Sequence, residues 1–221
     1  MNRLALPIAA IAAALIVAGC GTASTTSSSA GSSSTPSPAA SVAGDHNPAD
    51  VTFAQGMIPH HQQAIEMAKL AATRAASAEV KTLATQIQGA QDPEINQMKG
   101  WLTAWGAPTT MPGMTGMSGS AMGTGSMPGM MSDADMTMMS GLTGVAFDRQ
   151  WLTMMTTHHQ GAIAMAHTEQ VDGRYGPAKT MADNIVRAQT DEITKMAAVL
   201  NSLPAEKERR RQSGRAGRGR G

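Results

Sequence analysis

One twelve-residue stretch occurs twice in this chain, and the distance between the copies limits the folds open to it. Met57-Ile58-Pro59-His60-His61-Gln62-Gln63-Ala64-Ile65-Glu66-Met67-Ala68 returns as Met155-Thr156-Thr157-His158-His159-Gln160-Gly161-Ala162-Ile163-Ala164-Met165-Ala166, an offset of 98 residues. The offset holds without a gap beyond the motif. Ile87, Ala90, Gln91, Glu94, Ile95, Met98 and Leu102 recur as Ile185, Ala188, Gln189, Glu192, Ile193, Met196 and Leu200. Such a period is too long for a solenoid, whose repeats run to about 50 residues. It predicts two similar helical hairpins, each carrying one His-His-Met set, folded against each other.

The punctuation agrees. Asn47-Pro48 reads as an N-cap followed by proline at the first helical position, opening a helix to about Ala76. Pro59 removes a backbone donor there and predicts a kink just before the first histidine pair. Ser77 caps a second helix to about Trp105, with Glu79 in its first turn and Gly106 and Pro108 beyond its end. Asp92-Pro93 predicts a bend inside it. A short helix capped by Ser132 runs to Gly141. A helix from about Thr143 to Val171 carries the second motif, 172–177 form a turn, and the last helix spans Pro177 to about Ser202. No segment alternates with a period of two. The expectation is an all-α antiparallel four-helix bundle over residues 46–203. Its hairpins are 46–106 and 132–203, joined by 107–131.

On a helix each residue advances by about 100°, which gathers Met57, His60, His61, Ala64, Met67 and Ala68 on one broad face. The partner helix offers Gln91, Glu94 and Met98 at spacings of three and four. The second half repeats these types as Met155, His158, His159, Met165, Gln189, Glu192 and Met196. Imidazole with thioether favours Cu(I) and tolerates Cu(II), whereas Mg²⁺ or Ca²⁺ would want several carboxylates. The candidate metal residues are therefore Met57, His60, His61, Met67, Glu94, Met98, Met155, His158, His159, Met165, Glu192 and Met196. A methionine on an apolar helix face ordinarily fills core gaps. The metal reading rests on the duplicated Met-x-x-His-His spacing, because adjacent histidines diverge and a structural role needs two separate partners in each copy.

Methionine is also abundant where no core is expected. The chain has 19 Met against three Trp, one Tyr and two Phe, and ten of the Met fall within 111–139. Met111, Met114 and Met117, then Met127, Met130 and Met131, sit in a Gly/Ser-rich connection. A methionine there costs solubility and oxidises readily. Clustered thioethers on a flexible chain suit Cu(I); the alternative is a sticky surface that docks on a protein partner.

The ends set the compartment. Arg3, an apolar run from Leu4 to Val17 and Val17-Ala18-Gly19-Cys20 have signal-peptide proportions, and the last four residues resemble a bacterial lipobox. That resemblance implies cleavage before Cys20, a lipid on its sulfur and a protein held on the outer face of the cell membrane. Cys20 is the only cysteine, so disulfides and thiolate sites are excluded. Residues 21–45 form a Ser/Thr/Ala/Pro spacer. Residues 204–221 form a basic tail with seven basic and two acidic residues. Nucleic acid is no plausible partner for an exported chain whose arginines lack interleaved aromatics.

Met127 to Met131, Phe147-Asp148 and Met155 to Ala166 together resemble the bacterial family known as domain of unknown function 305, and Met57 to Ala68 is similar to that family's other half. The resemblance covers about residues 46–203. It implies a ferritin-like four-helix bundle, exported, with several members associated with copper binding or tolerance. Glu-x-x-His is absent, which argues against a di-iron oxidase. His-Glu-x-x-His and Gly-x-Ser-x-Gly are absent too. The expected function is a lipid-anchored, extracytoplasmic, non-enzymatic copper-binding protein that buffers Cu(I) or passes it to an envelope metal-transfer protein. The alternatives are a partner-binding envelope lipoprotein and, ranked lower, a copper redox enzyme.

Overall fold

The computed structural model describes residues 44–110 and 127–204, and among these every regular element is helical. The order is α1 (Pro48–Arg74), α2 (Ala78–Ala104), α3 (Asp133–Ser140), α4 (Gly144–Asp172) and α5 (Gly176–Ser202). The caps act as expected. Asn47 accepts from the N–H groups of Ala49 and Asp50, and Ser77 and Ser132 accept from Val80 and Asp135. Gly106 takes a left-handed φ of 66° just past α2. Helices α1 and α2 run on through Pro59 and Pro93 as single elements. Each proline deletes one backbone hydrogen bond, and the burial of a long helical face outweighs that loss. The turn between α4 and α5 is shorter than expected: Asp172 still belongs to α4, and Gly176 opens α5.

Each hairpin packs along its own length, α1 on α2 and α4 on α5. The hairpins meet mainly through α1 and α4, with α2 and α5 only grazing each other. The N-terminal end of α1 lies beside the α4–α5 turn, and the N-terminal end of α4 lies beside the α1–α2 turn. The two central helices are therefore antiparallel.

The apolar core is two clusters rather than one. Phe53, Met57, Ile95, Met98, Leu102 and Ile185 belong to the first. Met67, Ile87, Phe147, Trp151, Met155 and Met196 belong to the second, which α3 covers through Met139. Along all four long helices the clusters occupy opposite ends. The midpoints of α1 and α4, where the histidine pairs stand, fall between them.

Candidate metal centre

A buried polar layer separates the two apolar clusters. His60, His61 and His159 are wholly inaccessible and His158 is 1% exposed. Adjacent positions on a helix diverge by about 100°, so the members of each pair face different neighbours. His61 reaches across its own hairpin to Glu94 on α2, Nε2 to Oε2 2.8 Å. His159 reaches Glu192 on α5, also at 2.8 Å. The other two turn toward the α1–α4 seam, where the rings of His60 and His158 stand 3.8 Å apart between centroids, tilted by 41°. The Nε2 of His60 also donates to the Pro128 carbonyl, at 3.0 Å.

These partners fix the tautomers. A carboxylate and a carbonyl can only accept, so Nε2 carries the hydrogen in His60, His61 and His159. Their Nδ1 lone pairs are left free, and all three Nδ1 atoms are buried without a partner. Both ring nitrogens of His158 are also buried and unpartnered, as are the Oε1 atoms of Gln91 and Gln189. An unsatisfied buried polar atom costs on the order of 1–3 kcal/mol. The layer is thus an expensive arrangement of electron-pair donors in the middle of an otherwise apolar bundle. Burial, with the neighbouring charge of His61 second, pushes His60 down to about 3. Burial and then the neighbouring His60, His159 and His61 hold His158 well below the ordinary imidazole range. Both rings are neutral at physiological pH, the form that binds metal.

The candidate thioethers flank this layer with the same pseudo-twofold symmetry. Met57 and Met98 are wholly buried in the first cluster, with Met165 packed against it half-buried; Met155, Met196 and Met67 are wholly buried in the second. Met67 and Met165, equivalent by the offset, therefore differ in exposure. Among the described residues no three His, Cys, Asp or Glu side chains form a ready-made ligand set. A site of three or four donors built on the His60–His158 pair must draw in sulfur or a shifted His61 or His159.

Of the connection's candidates, Met111, Met114 and Met117 lie outside the described residues, as do Cys20, the signal segment and the basic tail. Met127, Met130 and Met131 belong to a short strap laid over the bundle, all half-buried. Gln63 grips Met131 from both sides, donating to its carbonyl at 2.9 Å and accepting from its N–H at 2.8 Å.

The family model for the domain of unknown function DUF305 matches residues 50–200. The chain belongs to the DUF305 family. A DUF305 protein of Streptomyces coelicolor, named as a candidate secreted protein, is 37% identical over 69% of this chain and 92% of its own, with a TM-score of 0.62. A DUF305 fragment from Deinococcus radiodurans is 35% identical over 71% and 98%, again with a TM-score of 0.62. The protein CopM in its Cu(II)-bound form is 32% identical over 69% and 95%, with a TM-score of 0.58. CopM has also been solved with Cu(I) and with silver. No curated protein sequence matches the chain.

Three acidic residues of this DUF305 chain were given no role from the sequence, although Asp148 stands in the family pattern. The Asp50 carboxylate accepts from the N–H groups of Arg174 and Tyr175 in the α4–α5 turn, at 3.0 and 2.8 Å. Asp148 accepts from Ala76 and Ser77 in the α1–α2 turn, at 3.1 and 3.0 Å. All three pairs of positions keep the offset of 98, so that offset was the available clue. Glu169 has no such clue, since its equivalent is Ala71. It is 1% exposed, and its oxygens find no donor while it is ionised. Burial first, then hydrogen bonding to Asp50 and the Asp50 charge, push it up to about 8. Burial opposes ionisation of Asp50 as well. The hydrogen bonds from Glu169 and from the N–H groups of Asn47, Tyr175 and Arg174 outweigh it and bring that carboxyl below its ordinary value. One proton is therefore held between the two acids, on Glu169.

Proposed function

We propose that this protein is a membrane-tethered, extracytoplasmic copper-binding protein that buffers Cu(I) or passes it on. One observation carries the reading: the bundle buries four imidazoles at its midpoint, three of them with Nε2 committed and Nδ1 bare. Carboxylates that orient imidazoles and raise their basicity are a recurring support for metal ligands; Glu94 and Glu192 hold that position toward His61 and His159. His60, His61, His158 and His159 would supply nitrogen. Met57, Met98, Met165 and Met67, Met155, Met196 would supply sulfur from the two sides. Cu(I) suits such a set, and the thioether needs no deprotonation. CopM, solved with both copper states and silver, supports the same metal class. The strap and connection methionines, Met111 to Met131, would act as a looser capture arm.

Tethering rests on Cys20 and its flanking residues. A related DUF305 protein is named as a candidate secreted protein, and no helix among the described residues is long and apolar enough to cross a membrane. Changing Cys20 to Ala should release the protein from the membrane fraction.

The decisive test is competition for Cu(I) between a chromogenic chelator and protein lacking residues 1–20. Replacing His60, His61, His158 and His159 together by Ala removes the tighter phase of uptake, leaving the weaker phase of the methionines. Unaltered tight uptake in a folded quadruple variant would refute the assignment.

A further inference from the structure

The pseudo-twofold fails at several positions, and one failure lies directly over the histidines. Gln63 and Gly161 are equivalent by the offset of 98, yet one is a long amide and the other has no side chain. Gln63 reaches up and holds Met131 by two hydrogen bonds. Gly161 clears the space beneath the same strap: a Cβ placed there would stand 2.0 Å from the Pro128 oxygen and 2.7 Å from the Gly129 Cα. Gly129 in turn needs its φ of 76° and faces the Thr157 carbonyl so closely that a Cβ would meet it at 2.7 Å. The strap thus crosses the seam between α1 and α4 and bonds to only one of the seam histidines, His60. Next to it runs an open cleft of about 540 Å³, lined by Met127 and Pro128 of the strap, Phe53 and Thr52 of α1, and Met165 and Thr168 of α4.

We propose that the Met127–Met131 strap is a gate over the His60–His158 pair, seated by Gln63 and Gly161, and that soft monovalent ions reach the pair through this cleft. The inference rests on the copper reading above. An ion in the cleft meets the thioethers of Met127 and Met165, which accounts for Met165 being only half-buried where its equivalent Met67 is sealed in the core. Pro128, which lines the cleft, holds its carbonyl against His60. Its departure frees His60 from the hydrogen bond that holds its Nε2 and leaves both seam imidazoles open to the incoming ion. Gln63 and Gly161 are positioning residues in this scheme; neither touches the metal.

Two variants separate the gate from the site. Gln63→Ala cuts both bonds to Met131. Gly161→Ala drives a methyl group into the Pro128 carbonyl. Neither removes a ligand. Hydrogen exchange at the Met130 and Met131 amides reports whether the strap lifts, and ¹⁵N spectra of the metal-free protein report whether His60 keeps its hydrogen on Nε2. Stopped-flow mixing with Ag(I), and with Cu(I) under reducing conditions, reports uptake and release. The expected result is faster exchange at both amides, loss of the single His60 tautomer, and uptake and release both accelerated by about tenfold or more, the scale set by two lost hydrogen bonds. Stoichiometry stays at the wild-type value. Wild-type metal rates in variants whose strap has lifted would overturn the gate. An unmoved strap in both variants would overturn the seating roles of Gln63 and Gly161. Absence of any uptake by the wild-type protein would instead overturn the copper reading beneath them.

Discussion

His60 and His158 face each other across the seam of the two hairpins with ring centroids 3.8 Å apart, both buried and both held neutral. Protonating either ring would place a charge against its neighbour in a site with no carboxylate bonded to either. The contact exists only while the layer stays neutral or a metal ion takes the place of the proton.

Acid should therefore unfold the protein early. The folded pKa of His60, about 3, lies below the ordinary 6.5, so the unfolded chain binds the extra proton as the pH drops between those values. Its contribution to stability is complete above about pH 6.5 and is lost as the pH falls, at up to about 1.4 kcal/mol per pH unit for each such ring. His158 acts in the same direction. Urea denaturation from pH 7 to pH 4 checks this: the double variant His60→Gln/His158→Gln should lose much less stability over that range than the wild type.

Glu169 has the opposite sign. Its folded pKa, about 8, is above the ordinary carboxylate value of 4.5, so the folded state holds the additional proton. That stabilisation is complete below about pH 4.5 and disappears as the pH rises through 8. Glu169→Gln keeps a donor toward Asp50 and cannot ionise. Its melting temperature should match the wild type near pH 5 and exceed it at pH 9, measured by circular dichroism in parallel scans.

Glu94 and Glu192 orient the outer histidines, so Glu94→Gln and Glu192→Gln should each weaken Cu(I) binding by about 10- to 100-fold while leaving the helix content intact. Chelator competition reads the affinity. An unchanged affinity in both would remove the carboxylates from the site.

The helix ends were legible because their determinants are local. Asn47, Ser77 and Ser132 cap through their own side chains within three residues. The His–Glu pairing was legible in part: spacing put Glu94 and Glu192 on the right faces. The bonding of His60 to Pro128 was not, because the two lie 68 positions apart and nothing in the motif marks a carbonyl as a partner. Pro59 and Pro93 lie inside continuous helices: their cost is local and its compensation, packing along the whole of α1 and α2, is not. The buried proton of Glu169 depends on Asp50, more than a hundred positions earlier, and no repeat announces it.

Asp148 gives the sharpest structural test of the paired turns. Asp148→Ala removes two charge-assisted bonds and should cost about 2–4 kcal/mol. The damage should appear in the other hairpin: hydrogen exchange should accelerate at the Ala76 and Ser77 amides and leave Arg174 and Tyr175 protected. Equal loss at both turns would mean global loosening.

That exchange of carboxylates has a consequence for how the chain comes to be folded. Neither hairpin owns the group that finishes its own corner; Asp50 belongs to the first and closes the second, and Asp148 does the reverse. A half-length fragment would carry an unanswered acid and an open bend. The molecule is in this sense a dimer written into one polypeptide, complete only when its second half has been made and has docked.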